Sequence, residues 1–556
     1  MGVHGFCVAV PCPRGADNEQ LGLTLFIVAV LLTPSGALNG ITEAFGVHEM
    51  GQQPSSTVLT LDSHDAFGAV GRDSAVASGA ILGAGVLGNG TVSVFPWTIP
   101  ASLGSTSSSP ASPDQGLSGY GMAAGGRSGV GLSTSVTAVS PSAVFAPVTR
   151  VESVTRVDAA LLPGMTGIPL LNQLALLPRG DLARFIADNP GSVKQLVSDQ
   201  PAAGVTAAWW AGRSSASKKS FLSEAPALLG NLEGIPYRAR DSANRSLLSK
   251  SITELKTSMS QLGRGEVVAA RLRLHMLEQV RDAVGSATAT QPKSLLTFDG
   301  SGQGRAAIVI GNLAKADYVS YLVPGMFFSV DTALGTWTDI ATDLNQEQTQ
   351  WLSRLAEADP SMAGKSVATV AWIGYQTPGI TQIASLSLAQ EGADLIGRAI
   401  DGVQSLRSRS EPFVTVIGHS YGSTAAMIEL AKGGLQVDAL ALIGSPGSAA
   451  QTASDLSVRN DNVYVGEAAW DPVVNSAFYG SDPGSGAFGA KKMSVAGGVD
   501  PITHRALTAS AGHLGYFEPG SESMRNLALI GLNQGALVTE GTTLDASRTL
   551  GSSVSN

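Results

Sequence analysis

Phe413-Val-Thr-Val-Ile-Gly-His-Ser-Tyr-Gly-Ser423 is the stretch that predicts the fold of this chain. Phe413 to Ile417 have the composition of a buried strand, and the residues after Ser423 (Thr-Ala-Ala-Met-Ile-Glu-Leu-Ala) have that of a helix. Between them lies a Gly-x-Ser-x-Gly sequence. A strand, this sequence and a helix in that order predict a nucleophile elbow, a sharp strained turn that exposes Ser420. The alternative is an ordinary strand-to-helix turn that carries a serine.

Apolar runs on both sides of this turn alternate with helical patterns. We predict helices around Trp337 to Leu355 and Ala384 to Leu406. The predicted strands are Leu295–Phe298, Ala306–Ile310, Ala316–Val323, Val367–Ile373, Val437–Ile443, Asn462–Val465 and a weak one near Lys492 to Val495. Such alternation predicts an α/β fold, a mostly parallel sheet covered by helices on both faces. Together with the Gly-x-Ser-x-Gly turn between a strand and a helix, it is typical of the α/β-hydrolase fold. Sites in such sheets lie at the carboxyl ends of strands, where Ser420 is expected.

A serine needs a base to take its proton and an acid to orient that base. In the α/β-hydrolase order, the acid and then the histidine follow the serine. Only His504 and His513 follow Ser420. We predict His513 as the base, because it lies in a small-residue loop before the amphipathic stretch Met524 to Leu532, and His504 is its competitor.

The predicted acid is Asp471, which comes just after the strand Asn462–Val465. Glu467 and Asp500 are weaker alternatives, and Asp438 is expected to start a strand instead. The alternative for Asp471 itself is that it merely begins a turn before a proline.

The oxyanion of an acyl-transfer intermediate needs two fixed hydrogen-bond donors. The backbone N–H of Tyr421, the residue after the nucleophile, is the first predicted donor. The loop after Val323 should supply the second, because Gly325 allows a turn there and the N–H of Met326, or that of Phe327, would point inward. The side chain of His419 is expected to point away, and it receives no role.

Composition excludes several classes of function. The chain of 556 residues has a formal net charge of −9 and no basic stripe, which argues against nucleic acid as a partner. Its two cysteines, Cys7 and Cys12, lie near the start and cannot form a disulfide framework. No Cys/His cluster has zinc spacing, and the glycine-rich Asp299–Gly304 is followed by a strand rather than by the helix of a dinucleotide site. We therefore expect no metal and no cofactor.

Residues 1–150 are predicted to be a low-complexity, largely flexible region with small ordered islands such as Thr91–Trp97. Leu21–Leu32 is too short for a membrane span of about 20 residues. With the small-x-small sequence Ser35-Gly-Ala37 it makes residues 21–37 a candidate export segment, although the preceding positive region is missing. The alternatives are a short buried element or a start codon assigned too far upstream. Localisation therefore stays open between the cell envelope or exterior and the cytoplasm.

Residues 151–290 are predicted to be helical, residues 291–540 to form the catalytic domain, and residues 541–556 to be a flexible tail. Apolar residues recur at helical spacing from Leu248 to Met259 and from Val267 to Val284, which predicts a helical hairpin. Trp209-Trp210 is interpreted as a packed aromatic pair.

With these residues in place, the stretch from about Leu182 to Leu537 resembles an actinobacterial α/β-hydrolase family of largely unassigned substrate. The segments that carry the resemblance are Ala208-Trp-Trp, Pro226–Pro236, Arg240–Arg245, Val323-Pro-Gly-Met, Ala371-Trp-Ile-Gly-Tyr375 and Gly418-His-Ser-Tyr-Gly-Ser. The resemblance implies a serine hydrolase domain preceded by a helical region, and it implies no substrate. Met326-Phe-Phe328 is bulkier than the small residues expected after that Pro-Gly.

The leading prediction is a cofactor-independent serine hydrolase that acts on a small-molecule ester or acyl substrate through an acyl-enzyme. A peptidase or an acyltransferase would use the same Ser420, His513 and Asp471 with a different leaving group or acceptor. The alternative from another class is an envelope-associated binding module that keeps the fold without turnover. The oligomeric state is not predicted.

Overall fold

The computed structural model of the chain describes residues 161–289 and 292–541, together with the backbone of two strands nearer the start. These strands, β1 (Ala80–Leu87) and β2 (Thr91–Thr98), pair antiparallel within a unit of residues 53–156. The predicted island Thr91–Trp97 falls in β2. The candidate export segment at residues 21–37 and the tail after residue 541 lie outside the described residues.

Eight α-helices lie between residues 161 and 289, ahead of the main sheet. They are α1 (Gly167–Leu174), α2 (Arg179–Asp188), α3 (Pro190–Ser198), α4 (Ala203–Ala211), α5 (Ser215–Glu224), α6 (Pro226–Leu229), α7 (Tyr237–Ser258) and α8 (Arg264–Val284). Helix α2 ends just before Asn189-Pro190, because a proline disfavours helical backbone in the residue before it but is well suited to begin α3. Trp209 and Trp210 are buried in the core of these helices, with ring centroids 6.2 Å apart.

The remaining described chain builds an eight-stranded sheet and its covering helices. The elements are β3 (Ser294–Asp299), β4 (Arg305–Gly311), β5 (Tyr318–Val323), α9 (Val330–Ala358), β6 (Val367–Ile373), α10 (Ser387–Leu406), β7 (Phe413–His419), α11 (Tyr421–Leu430), β8 (Ala439–Ile443), β9 (Val463–Gly466), β10 (Lys491–Lys492), a small separate hairpin of β11 (Gly498–Val499) and β12 (Ala506–Leu507), and α12 (Glu522–Gly531). The strand order is β10-β9-β8-β7-β5-β6-β4-β3. Every neighbouring pair is parallel except the two that involve β4. The predicted α/β-hydrolase fold is confirmed.

Each face of the sheet has its own apolar core, as expected for strands buried on both sides. Ile308, Leu322 and Ile417 pack with residues of α7, α8, α9 and α12 on one face. On the other face, residues one position away in each strand pack against α10 and α11; they include Val309, Tyr321 and Val416. The core therefore holds β7 rigidly in the middle of the sheet, and the Gly-x-Ser-x-Gly turn lies at its carboxyl end. None of the helices between residues 161 and 541 that the structure describes combines the length and the hydropathy of a transmembrane span.

Helix α7 is joined to the edge strand β3 by buried polar side chains. The Arg240 guanidinium donates to the carbonyl of Gly230 (3.1 Å), to Thr297 Oγ1 (3.2 Å) and to the Glu233 carboxylate. Asn244 Nδ2 donates to carbonyl oxygens of β3. Arg240, Asn244 and Glu233 all lie in the segments that carry the family resemblance. Their contacts are structural: they dock the helices onto the open edge of the sheet.

This cluster gives a stability prediction. Arg240→Met leaves the Glu233 carboxylate buried without its cation, and we expect it to lower the free energy of unfolding by about 3–5 kcal/mol. Arg238→Met is the matched control, because Arg238 is exposed on the same helix; it should change stability by less than about 0.5 kcal/mol. Urea unfolding measures both. Equal midpoints for the two variants would refute the structural role of Arg240.

Candidate active site

Ser420 occupies the turn between β7 and α11 in a strained backbone conformation, with φ 53° and ψ −130°. Neighbouring backbone approaches both flanking positions so closely that only glycine fits there. A Cβ on Gly418 would lie 2.6 Å from Ser423 Cα, and one on Gly422 would lie 2.4 Å from the carbonyl oxygen of Pro324. The Ser420 N–H donates to the carbonyl of Ile443 in β8 (2.9 Å). These contacts fix the turn, and Ser420 lines two cavities that open beside it.

His513 and Asp471 contact each other beside the Ser420 turn. Asp471 lies in the loop after β9, and His513 lies in the loop that leads to a short 3-10 helix, Gly515–Phe517. His513 Nδ1 is 2.9 Å from Asp471 Oδ1 and 3.1 Å from Oδ2. The carboxylate is fully buried, the imidazole side chain is 8% exposed, and His513 lines both cavities together with Ser420. The structure thus brings together the three residues that the sequence predicts for the site.

Hydrogen bonds hold Asp471 in its ionised form. Burial by itself raises the pKa of this carboxyl, but His513, the Tyr516 hydroxyl and the Val473 N–H outweigh burial and hold the pKa below its ordinary value. Tyr516 donates to Oδ2 at 2.6 Å and accepts from the Ala468 N–H at 2.8 Å. An ionised carboxylate only accepts hydrogen bonds, so the proton of a neutral His513 sits on Nδ1. Its Nε2 is left as the basic nitrogen.

The backbone after β5 passes directly over the serine. A Cβ on Gly325 would lie 2.4 Å from Ser420 Cβ, so this position also requires glycine. In the described part of the chain, we find no hydrogen-bond partner for the N–H of Met326 or of Tyr421, whereas the Phe327 N–H donates to the carbonyl of Pro378 (3.3 Å). Among the described residues, the Met326 N–H therefore donates to no backbone carbonyl, unlike the Phe327 N–H.

Aromatic side chains hold this loop in place. Tyr375, from one of the segments that carry the resemblance, donates its hydroxyl hydrogen to the Pro324 carbonyl (2.7 Å) and stacks on Trp372. Phe328 packs edge-on against Trp337, with ring centroids 4.9 Å apart, and also lies edge-on to His419, while Met326 lines both cavities. The loop therefore keeps its position despite its large side chains.

The competing candidates lie elsewhere. His504 is exposed on the turn between β11 and β12 and lines neither cavity. Asp500 is bound by the Arg525 guanidinium (3.0 Å) and by two backbone N–H groups. Asp438 directly precedes β8 and accepts from the Val414 N–H (2.7 Å), so its role is structural.

The expectation for His419 is wrong. Its imidazole lies beside that of His513, with ring centroids 4.7 Å apart, and its Nε2–H donates to the backbone carbonyl of His513 (2.8 Å). Burial, together with the proximity of His513, lowers the pKa of His419 to about 3, so the ring is neutral near pH 7. A neutral ring beside His513 adds no repulsion when His513 takes up a proton. The contact joins residues 94 positions apart, and no local sequence pattern could have revealed it.

His419 is therefore expected to position His513. Replacing His419 with leucine removes the donor to the His513 carbonyl, and a displacement of about 1 Å at a reacting group can lower turnover by about 10²-fold. We expect His419→Leu to lower kcat by that order, and His419→Gln, which keeps an N–H donor, to recover most of it. Steady-state kinetics on folded variants measures this. Equal losses in both variants would contradict the positioning role.

Glu467, the weaker candidate for the acid, does not contact His513. It packs against Gly484, where a Cβ would lie 1.8 Å from the carboxylate. Burial, reinforced by Asp482, raises its pKa to about 7. Because this pKa is raised, the folded chain keeps a proton that the unfolded chain releases. The free energy of unfolding therefore falls as the pH rises from about 4.5 through about 7.

Glu467→Gln should remove this pH dependence. Relative to the parent, we expect the variant to be unchanged near pH 4 and more stable by roughly 2 kcal/mol near pH 8, after allowance for the partly exposed position of Glu467. Denaturant unfolding at both pH values tests this. A variant that is equally stable to the parent near pH 8 would contradict the raised pKa.

Sequence comparisons agree with this fold. Residues 299–481 match the sequence model of a family described as alpha/beta hydrolase. An uncharacterized protein of Mycobacterium tuberculosis is 27% identical over 389 residues, which is 60% of this chain and 56% of that protein. The chain thus spans little more than half the length of this relative. An uncharacterized protein of Mycobacterium bovis is 27% identical over 229 residues, which is 40% of this chain and 81% of that protein. The resemblance to an actinobacterial α/β-hydrolase family is confirmed.

Solved structures align with about half of the chain. An arylesterase aligns at 10% identity with a TM-score of 0.27, over 53% of this chain and 97% of its own. An esterase from the archaeon Pyrobaculum calidifontis aligns at 15% identity with a TM-score of 0.27, over 51% of this chain and 97% of its own.

Proposed function

We propose that this α/β hydrolase is a serine hydrolase that cleaves carboxylic esters through an acyl-enzyme on Ser420. One observation carries the proposal: the strained Ser420 lines the same cavities as a histidine whose other nitrogen is bound to a buried carboxylate. A strained serine alone could belong to a structural turn. A strained serine beside an oriented base is the arrangement that nucleophilic catalysis requires.

In the proposed mechanism, Ser420 Oγ attacks the acyl carbon of the ester while His513 Nε2 accepts the hydroxyl proton. Asp471 fixes the tautomer of His513 and stabilises the imidazolium. The tetrahedral intermediate collapses, the bond to the alcohol oxygen breaks, and His513 returns the proton to that oxygen. A water molecule, deprotonated by His513, then attacks the acyl-Ser420 carbonyl, and acid and serine are released.

The negative charge of the intermediate would be stabilised by the backbone N–H groups of Tyr421 and Met326. Tyr421 is the first residue of α11, so its N–H also lies at the positive end of a helix dipole. The loss of one such donor typically costs about 10²–10³-fold in turnover. Gly325 brings the Met326 backbone close to Ser420, which supports Met326 as the second donor.

The test is a comparison of substrates with Ser420→Ala as the control. We expect saturable hydrolysis of 4-nitrophenyl esters that disappears in the variant, and slow or no hydrolysis of the matched 4-nitroanilides. Preferred cleavage of the anilides would replace the esterase proposal with a peptidase. Ester hydrolysis that persists in Ser420→Ala, or no turnover of any substrate by the parent, would contradict the proposal.

A further inference from the structure

The two cavities that meet at Ser420 differ greatly in size. One has a volume of about 30 Å³, and the other is a groove of about 800 Å³. An ester has two sides, the acyl group and the alcohol. If the site binds an ester across Ser420, one side of the substrate must be small and the other has room to be large.

The small cavity, here called the narrow pocket, is walled mainly by apolar and aromatic side chains. Ile383, Val473, Phe478 and Tyr479 line it beside Tyr421. Tyr479 is held there because its hydroxyl donates to the Ile383 carbonyl, and Phe478 packs edge-on against it, with ring centroids 4.8 Å apart. About 30 Å³ is room for little more than one water-sized group. The narrow pocket fits a short alkyl chain and offers no room for a long one.

The large cavity, here called the groove, runs between helices α8 and α9. Along α9 it extends from Asp331 to Asp343, which is about 18 Å of helix. Its wall on α8 is mainly apolar, with Ala269, Leu272 and Met276, and it also carries the charged Arg273. Its wall on α9 carries carboxylates and threonine hydroxyls. An extended, amphipathic group fits this shape, with its apolar side against α8.

Proton transfer decides which side of the ester enters each cavity. His513 must return a proton to the alcohol oxygen, so the alcohol must leave along the loop that carries His513. That loop borders the groove through His513, Leu514 and Phe517, whereas in the narrow pocket it contributes His513 alone. The narrow pocket lies instead beside Tyr421, whose N–H is the proposed donor to the acyl oxygen.

We infer that the substrates are short-chain acyl esters of long amphipathic alcohols, with the acyl group in the narrow pocket and the alcohol in the groove. This inference rests on the proposed ester hydrolysis. It specifies a small acyl group and a long alcohol, and it predicts that Phe478 and Leu272 determine the specificity for them.

Two isomeric esters test the inference directly. Dodecyl acetate and ethyl dodecanoate have the same composition and differ only in which side of the ester is long. Presented in the same detergent micelles, dodecyl acetate should have a kcat/KM at least about 10-fold higher, since methylene groups that do not fit a pocket cost that much or more. Equal rates, or a preference for ethyl dodecanoate, would overturn the assignment.

Variants in each cavity sharpen the test. Phe478→Ala enlarges the narrow pocket and should raise the ratio of octanoate to acetate hydrolysis, measured with 4-nitrophenyl esters, by at least about 10-fold. Leu272→Asp places a charge on the apolar wall of the groove and should reduce the preference for dodecyl acetate. Val268→Asp is the matched control, because Val268 is 60% exposed on the same helix and lies outside the groove. Ratios that stay unchanged in both cavity variants would overturn the assignment.

Failure of the inference can be told apart from failure of the proposed function. If the parent cleaves 4-nitrophenyl acetate through Ser420 but neither long isomer, ester hydrolysis stands and the groove is not an alcohol site. If the parent cleaves none of the three esters, the proposed function itself fails and the inference falls with it.

Discussion

Replacing His513 with alanine is expected to lower kcat for ester hydrolysis by roughly 10⁶-fold, about as much as removing the serine itself. Without this imidazole, Ser420 loses the base that is proposed to accept its proton. Asp471 would be left as a buried carboxylate whose remaining partners are Tyr516 and the Val473 N–H. Progress curves with 4-nitrophenyl acetate measure the loss, and circular dichroism establishes that the variant is folded.

The matched control is His504→Ala. His504 is exposed on a turn between two short strands, and its replacement should leave kcat within about twofold, as expected for a surface position away from the site. Because His504 and His513 are the only histidines after Ser420 in the sequence, the pair of variants decides the identity of the base. Activity that survives in His513→Ala and is lost in His504→Ala would reverse the assignment.

The second large effect is expected for Asp471→Asn, which should lower kcat by about 10⁴-fold with little change in fold. An asparagine amide can donate to His513 Nδ1, which would place the imidazole proton on Nε2, facing Ser420. The base would then hold a proton where it must accept one. The same variant removes the charge that stabilises the imidazolium, so both effects lower kcat.

Glu467→Gln is the control for this variant, since Glu467 lies in the same loop but does not contact His513. The kcat of Glu467→Gln should equal that of the parent. The kcat of Tyr516→Phe should lie between those of the parent and Asp471→Asn, because Tyr516 donates to Asp471 Oδ2 without touching the base. Measuring kcat from pH 5 to 9 distinguishes Asp471→Asn, Glu467→Gln and Tyr516→Phe. An Asp471→Asn enzyme with parental kcat would show that another group orients His513.

Much of the fold follows from local sequence signals. The eight predicted strands after residue 290 all overlap strands of the sheet, because residues buried on both faces leave continuous apolar runs. The turn around Ser420 could be predicted because such a turn leaves no room for a Cβ at either flanking position, so both positions must be glycine. The order of serine, acid and histidine along the chain then limits the partners of Ser420 to a few residues.

The parts that could not be predicted depend on contacts between distant segments. The sequence does not show that Tyr516 binds Asp471, or that Gly444 must be glycine because a Cβ would lie 2.8 Å from Asp471 Oδ2. The contact of His419 could not be predicted for the same reason, since its partner, His513, lies in a loop 94 residues later in the chain. The two cavities are likewise shaped by side chains from separate helices and loops, so their unequal sizes emerge only in the folded structure.

The most direct test of the proposed nucleophile is covalent labelling with a fluorophosphonate, which reacts with an activated serine and leaves an adduct that mass spectrometry can locate. We predict one adduct per chain on the peptide that contains Ser420, none in Ser420→Ala, and greatly slowed labelling in His513→Ala. Labelling of the intact, folded protein at any other serine, or no labelling at all, would contradict the account.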